Sequence, residues 1–497
     1  MSSEPTAAPL ERLAGSPPRG LAWCLARRWP LLVWGAMLGW SVALFTTVRT
    51  AYDTFQLPRF DLGNMAQAVA STAHGRPLEV TLATGEQSLR LASHIDPILA
   101  LLAPFWILAP TPLTLAAVQI AACALGALPV FWLARRHLGS ETTAALLALV
   151  YLFYPWLAWT ALEAFHPVTL AIPLFLYAIW FLDSERVWAF APFAVLALLT
   201  GELMGIAIAG LGLWYWLARG HRRPGLVIAW AGMAWTAFAV KVLVPAFRGD
   251  ASPFYDRFAS VGGSPEGLIR TVFTDPGAIA AALFTLDDFA YIVWLAIPLA
   301  GAFLLSPGLA VIALPQLMVN TLADSSPTTD PRTHYIAAIV PFLVAASVFG
   351  LARLPSAHRL PAAGFLLALC SALSLLVGQW LAIAGVKSLG YQADLPDRHL
   401  AAMRSAVEVV PDGAPLSTTN RIGAHLSGRR YVYSVPILRR AEWVVLDTWD
   451  PRLVLDSTVD VWDPARLRVF QTRLEKSPEW VTAFEQDGVL VFRKVGR

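Results

Sequence analysis

The chain has 497 residues, of which 57% are hydrophobic and 14% charged, and its mean hydropathy is +0.57, far above that of a soluble domain. Its formal net charge is only +3, and the arginines that supply it sit in short loops, so the charge reports membrane topology and excludes a nucleic-acid partner. None of the three cysteines (Cys24, Cys123 and Cys370) lies in the polar C-terminal stretch, so no disulfide framework is expected there.

Residues 1–29, rich in Pro, Ala and Arg, read as a disordered cytoplasmic tail, kept inside by Arg19, Arg27 and Arg28. The apolar run Leu31–Val48 is too long for a signal peptide and lacks a small-residue cleavage site, so it reads as a retained first span. A large outer loop, residues 49–111, follows. Within it, Asp61 to Thr72 predicts an amphipathic helix lying on the membrane surface. Leu62, Met65, Ala66, Val69 and Ala70 form one face, and Asn64, Gln67 and Ser71 the other. Pro97–Ala109 is apolar but short, which suits a surface or re-entrant helix.

The trace then alternates. Spans near Leu113–Ala134, Thr143–Leu162, Val168–Leu182, Val187–Leu199, Leu203–Leu217 and Gly225–Pro245 are punctuated by basic turns at Arg135-Arg136-His137 and Arg219 to Arg223. After a second outer loop, residues 246–288, come Phe289–Leu305, Leu309–Thr321, Tyr335–Leu351 and Pro361–Gly385. This gives a transmembrane domain over residues 30–386 with about eleven helices, counted against roughly 20 residues per crossing. The 20 Trp and 25 Phe, many near segment ends, fit an interfacial aromatic belt. Residues 387–497 regain charge. The β-prone runs Arg430–Val435, Trp443–Leu446 and Val489–Arg493 alternate with helical patterns at Asp397–Val409 and Pro464–Lys476, which predicts a small extracytoplasmic α/β domain.

The trace brings Asp61, His94, Asp96, Glu163, His166, Glu202, Lys241, Arg332 and His334 out on one side, with Tyr335 next to the last. Each alone reads equally well as a solvated loop residue. Acid, imidazole and base together at one membrane face favour a site, because ionisable groups at the bilayer are costly. Asp61 is the expected catalytic residue, and Asn64, Gln67, His94, Glu163, His166, Glu202, Lys241, Arg332, His334 and Tyr335 are the expected substrate-binding set. A hard divalent cation, Mg or Mn, is the one cofactor these residues allow, with Asp61, His94 and Glu163 as ligands. A structural zinc is not expected, since there is no Cys pair and no His-Glu-x-x-His run. Walker, dinucleotide-binding and nucleophile-elbow motifs are all lacking.

Several strings together resemble a known family. Phe60-Asp61-Leu62-Gly63 with Gln67, His94-x-x-Pro97-Ile98-Leu99, Phe165-His166-Pro167, Leu199-Thr200-x-Glu202, Ala239-Val240-Lys241-Val242, Ser417-Thr418-Thr419-Asn420 and His425-Leu426-Ser427-x-Arg429 look like DUF2079 bacterial membrane proteins. That family is in turn similar to the GT-C superfamily of polytopic glycosyltransferases. The resemblance implies a plasma-membrane enzyme with an acidic residue in the first outer loop, at Asp61, an extracytoplasmic site and a polyprenyl-phosphate sugar donor. The acceptor would be an extracytoplasmic glycan, lipid or protein, selected in part by Asn420 and Arg429 of the tail domain. Two positions depart from the superfamily pattern: Asn64 stands where a second acid is common, and Gly201 where relatives often carry a basic residue before the glutamate. A lipid or polysaccharide transporter and a non-catalytic envelope scaffold are the alternative readings. The lack of an inverted repeat and the one-sided ionisable groups count against transport.

Overall fold

The computed structural model describes residues 27–249, 255–283, 285–324, 326–380, 395–455 and 458–495. The expected N-terminal tail through residue 26, the end of the last span (381–385) and the start of the tail domain (387–394) lie outside them.

Helices dominate the first three quarters of the chain. Four are long and apolar enough to cross a membrane: Arg28–Asp53, Leu113–Leu138, Arg222–Arg248 and Ser356–Leu376. Two bent pairs raise the number among the described residues to six: Glu141–Leu152 with Pro155–Leu162, bent by 48°, and Pro276–Leu283 with Leu286–Leu299, bent by 51°. Most of the other expected spans are shorter apolar helices, such as Pro167–Asp183, Val187–Leu198 and Val340–Ala352, so the sequence count of about eleven full crossings is not matched helix for helix. The expected span Phe289–Leu305 ends early, because Ala300 (φ 46°) and Gly301 (φ 68°) are both left-handed and stop the helix.

The bend at Pro155 shows how this packing is satisfied. Proline interrupts the helical ladder and frees carbonyls, which must find donors away from water. The buried Trp40 indole donates to Leu152 O at 2.9 Å, and Ser374 Oγ donates to Phe153 O. Trp156 likewise donates to Trp294 O at 2.7 Å. Part of the aromatic complement thus clamps broken backbone inside the bundle and does not serve as a lipid anchor. Elsewhere the helix Met204–Arg219 lies directly on Arg222–Phe238, where a Cβ on Gly205 would come within 2.2 Å of Gly232 O. Only glycine permits that approach.

The basic turns gather at one end. Asp183, fully buried, meets His137 at 3.0 Å, Arg136 at 3.2 Å and Arg219 at 3.5 Å. On the helix Leu113–Leu138, His137 lies 18 residues beyond Gln119, about 27 Å away at 1.5 Å per residue. Gln119 braces the opposite end, where the expected site residues collect.

The helix Asn64–Ala73 corrects the surface-helix expectation. All residues from Met65 to Ser71 are buried. Its apolar face packs on the short helices spanning Pro97–Leu108, and its polar face is covered by the tail domain: Gln67 Nε2 donates to Arg430 O at 2.9 Å and Arg429 O at 3.1 Å. Beside it, the Pro97–Leu108 segment turns apolar side chains outward, with Leu101, Phe105, Ile107 and Leu108 exposed.

A short hairpin, β1 (Glu79–Thr81) and β2 (Gln87–Leu89), reaches from the outer loop to the tail domain. That domain is a five-stranded mixed sheet in which β3 (Leu416–Thr418) pairs parallel with both β4 (Val432–Ser434) and β5 (Trp443–Asp447). Strands β6 (Arg452–Leu455) and β7 (Thr458–Trp462) form a separate antiparallel pair, and antiparallel β9 (Val489–Lys494) and β8 (Trp480–Gln486) complete the main order β4-β3-β5-β9-β8, leaving β4 at the edge beside the outer loop. The helix Asp397–Val409 and the helix Pro464–Lys476 pack on the sheet through Leu400, Met403 and Ala406 and through Leu467, Phe470 and Leu474. The β-prone runs and helical patterns of the sequence coincide with these elements. The short β3 and the exposed β8 lie outside those runs.

Candidate functional site

Asp61 sits in a π-helical turn, Arg59–Gly63, that leads into the helix Asn64–Ala73. The turn is pinned from the tail domain. Asn420 Oδ1 accepts from Arg59 N at 2.9 Å and Phe60 N at 3.2 Å, satisfying donors at the start of the turn. Arg59 itself is 1% exposed, and its guanidinium donates to Ser434 Oγ at 2.6 Å, to Thr81 O at 3.3 Å and to Val432 O. This fixed turn leaves the Asp61 carboxylate half exposed.

Opposite Asp61 is the loop Glu163-Ala164-Phe165-His166. Gln119, fully buried, holds it from beneath: Nε2 donates to Glu163 O at 3.0 Å, and Oε1 accepts from His166 N at 3.1 Å. His166 Nε2 lies 3.9 Å from Asp61 Oδ1. Its other nitrogen is 2.6 Å from Ala164 O, which only accepts, so Nδ1 carries the proton. Burial lowers the His166 pKa to about 4, and the adjacent His334 imidazole adds to the fall. The ring is therefore neutral and presents the Nε2 lone pair toward Asp61.

His334 stacks on His166, with centroids 3.7 Å apart, and its Nδ1 is 3.1 Å from Glu163 Oε1. Burial lowers the His334 pKa to about 3 and raises that of Glu163 to about 7, where the Asp61 charge adds to the rise. Glu163 Oε2 is buried without a hydrogen-bond partner. Among the described residues, Glu163, His166 and His334 are the group able to hold a metal ion, with donor atoms all within 4.8 Å of one another. The half-exposed Asp61 borders it.

His94 belongs to a neighbouring cluster. Its Nδ1 is 3.2 Å from Glu202 Oε1, while Glu202 Oε2 accepts from Ile95 N at 3.1 Å. Burial pushes Glu202 up, but His94 and these hydrogen bonds outweigh it and hold the carboxylate down to about 2. Beside it, Arg90 pairs with buried Asp96 at 3.0 Å. Lys241 pairs with Glu266, and Arg332 chelates Asp330 at 2.6 Å while lying over the Trp159 ring. The Tyr335 hydroxyl accepts from Arg257 at 2.7 Å. Asn64 Nδ2 bonds back to Phe60 O at 2.9 Å, and Gln67 faces the tail domain. The structure thus brings together Asp61, Glu163, His166 and His334, places His94 with Glu202, and turns Gln67 away.

Arg59, Gln119 and Arg257 escape sequence reading. Gln119 is a lone polar residue in an apolar span, a signal that marks bracing as readily as chemistry. Arg59 and Arg257 have no distinguishing pattern, since only their distant partners define them. Asn420 caps the Asp61 turn, and Arg429 reaches the carbonyls of Leu426, Val410 and Pro411, so both serve the fold of the seam.

Among solved structures, the chain is similar to ArnT from Cupriavidus metallidurans bound to undecaprenyl phosphate, at 14% identity and a TM-score of 0.54, covering 95% of this chain and 98% of that one. The apo form of the same protein matches at 14% identity and a TM-score of 0.49, covering 92% and 98%. The first comparison establishes an ArnT-like fold. No curated protein matches. A family model described as a predicted membrane protein, DUF2079, matches residues 51–491, which takes in the Asp61 turn, every site residue described above and nearly all of the tail domain. The chain is a member of the DUF2079 family.

Proposed function

We propose that this protein transfers a sugar from a polyprenyl-phosphate donor to an extracytoplasmic acceptor, with inversion at the anomeric carbon. The observation that carries the reading is the meeting of a fixed, half-exposed Asp61 with Glu163, His166 and His334 at the membrane end remote from the basic turns, within an ArnT-like fold. Asp61 takes the proton of the acceptor hydroxyl as its oxygen bonds to the anomeric carbon. The anomeric carbon–oxygen bond breaks, and the leaving polyprenyl phosphate keeps the electron pair. Arg257, beside His334 and Tyr335, adds positive charge there, together with Lys241 and Arg332, whose charge is partly met by Glu266 and Asp330. The exposed apolar face of Pro97–Leu108 suits a lipid tail that stays in the bilayer.

Two imidazoles and one carboxylate, one of whose oxygens is an orphaned buried acceptor, suit a borderline cation such as Zn better than Mg. Glu163, His166 and His334 would hold it, and it would supply charge to the leaving phosphate. Positive-inside topology puts the Asp183 cluster in the cytoplasm and the site and tail domain outside.

Asp61→Asn tests the reading. Removing a general base lowers turnover of a polyprenyl-phosphate sugar at least about a hundredfold. Loss of one exposed charge changes stability by less than about half a kcal/mol. Normal turnover in the variant would remove Asp61 from the mechanism and favour a transporter or scaffold. Lost turnover with a collapsed melting temperature would make Asp61 structural.

A further inference from the structure

The seam between the outer loop and the tail domain contains an open cleft of about 600 Å³, separate from the Asp61 cluster. Its walls carry Glu79 and Glu86 on the hairpin side and Arg430, Tyr431, Arg439 and Arg440 on the side of edge strand β4. We propose that this cleft binds an acidic sugar, a saccharide unit bearing one carboxylate or phosphate.

Tyr431 and Tyr433, two residues apart and so on one face of the strand, stack with centroids 6.4 Å apart at 20°. Tyr433 is buried and gives the platform a fixed base. The guanidiniums of Arg430 and Arg440 lie over the Tyr431 ring at 5.2 and 5.5 Å. Arg430 pairs with Glu79 at 3.1 Å and Arg439 with Glu86 at 2.6 Å across the seam. Arg440 donates to the Tyr431 hydroxyl at 3.1 Å and makes no ion pair among the described residues. Among the lining side chains, three arginines against two glutamates leave one positive charge, and Arg76, 3.2 Å from Glu79, keeps that glutamate compensated when Arg430 turns to a ligand, which suits one anionic group and not a polyanion. The Arg439–Glu86 pair is exposed and worth under about 1 kcal/mol, and Arg430 is half exposed against a mostly covered Glu79, so both guanidiniums can turn to a bidentate ligand.

The remaining lining selects the rest of the ligand. Gln87 Oε1 is buried without a partner, while its Nε2 donates to Thr81 Oγ1 at 2.7 Å, so the amide is oriented with an unused acceptor. That acceptor and the two glutamates accept from hydroxyls. They would repel a nucleic-acid backbone, and the cleft offers no aliphatic pocket to anchor a peptide side chain. At the hairpin tip, Gly85 (φ 78°) packs against Ile437 and Arg439, where a Cβ would come within 2.6 Å, so the cleft has a set width.

The cleft is coupled to the Asp61 turn. Gln67, six residues and about 9 Å along the helix from Asp61, bonds to Thr81 and to the Arg430 carbonyl. Assigning the acidic unit to the acceptor rests on the transfer reading, whereas binding itself stands on the cleft alone.

The test is calorimetric titration of the full-length protein in nanodiscs with methyl galacturonate, which carries a single carboxylate, glucose 1-phosphate, maltotriose and inorganic phosphate. One acidic sugar is expected to bind saturably, and which one decides between carboxylate and phosphate. Arg440→Gln and Tyr431→Ala, both on exposed or half-exposed positions, should each weaken it at least tenfold with an unchanged melting temperature. Asp61→Asn should bind like wild type, so failure of the transfer reading leaves this result intact, and the reverse. Maltotriose or inorganic phosphate binding as tightly as the acidic sugar, wild-type affinity in both cleft variants, or no binding by any probe would overturn the proposal.

Discussion

Glu163 is a carboxyl raised to about 7 by burial, whereas its ordinary value is 4.5, and that sets a definite pH signature. Because the folded-state pKa is raised, its contribution to stability is present in full below about 4.5 and is lost as pH rises through about 7. His166 and His334, lowered from 6.5 to about 4 and 3, act on the other side: stability falls as pH drops below about 6.5, because the unfolded chain then takes up protons that the native state refuses. Where the two overlap, the pair of histidines outweighs the single carboxyl, so a melting curve of the metal-free protein across pH 4 to 9 should peak near the ordinary histidine value of 6.5. Glu163→Gln is expected to flatten the decline above the maximum and steepen the acid limb, and an unchanged decline would assign that loss elsewhere. The same trio predicts metal content: purified protein loaded with Zn or Mn should retain about one equivalent, reduced severalfold in His166→Ala, as read by elemental analysis.

At the scale of elements, the Asp61 turn is held by partners more than three hundred residues away. Asn420→Ala leaves Arg59 N and Phe60 N without their acceptor, at a cost of about 1–3 kcal/mol. Turnover should fall more than that destabilisation explains, because the carboxylate loses its fixed position, while binding of the lipid phosphate stays near wild type. Equal losses in turnover and stability would reduce Asn420 to a structural cap. Arg59 has the same logic in stronger form, since the structure surrounds a fully buried cation with neutral acceptors and no carboxylate within ion-pair distance among the described residues.

For the whole molecule, the basic cluster at Asp183 and the acid–imidazole cluster at Asp61 stand about one bilayer apart along Leu113–Leu138. Single cysteines at Arg186 and Asp412, in a Cys24→Ser background that leaves only the buried Cys123 and Cys370, should label from opposite sides of intact cells. Labelling of both from outside would refute the proposed orientation. The tail domain is then a plug set over the outer loop. Strand β4 and Asn420 close on the turn from above as Gln119 does from below.

Hydrophobic runs, basic turns and the strings around Asp61 and His166 were enough to read a polytopic membrane protein, its family and the gathering of ionisable groups at one end of the helices. Those features are local: the period of a helix, the length of an apolar run and the charge of a short loop are written into consecutive residues. The partners were not legible. His94 and His334 are equally polar residues in equally plausible loops, yet His94 pairs with Glu202 and His334 with Glu163, because packing of distant helices decides which loops meet. The same holds for the helix after Asp61. Its polar face marks a boundary in the sequence, but whether water or another domain covers that face depends on where β4 comes to lie, and here Gln67 is sealed beneath the tail domain. Periodicity determines that a face is polar, and only the tertiary fold decides what meets it.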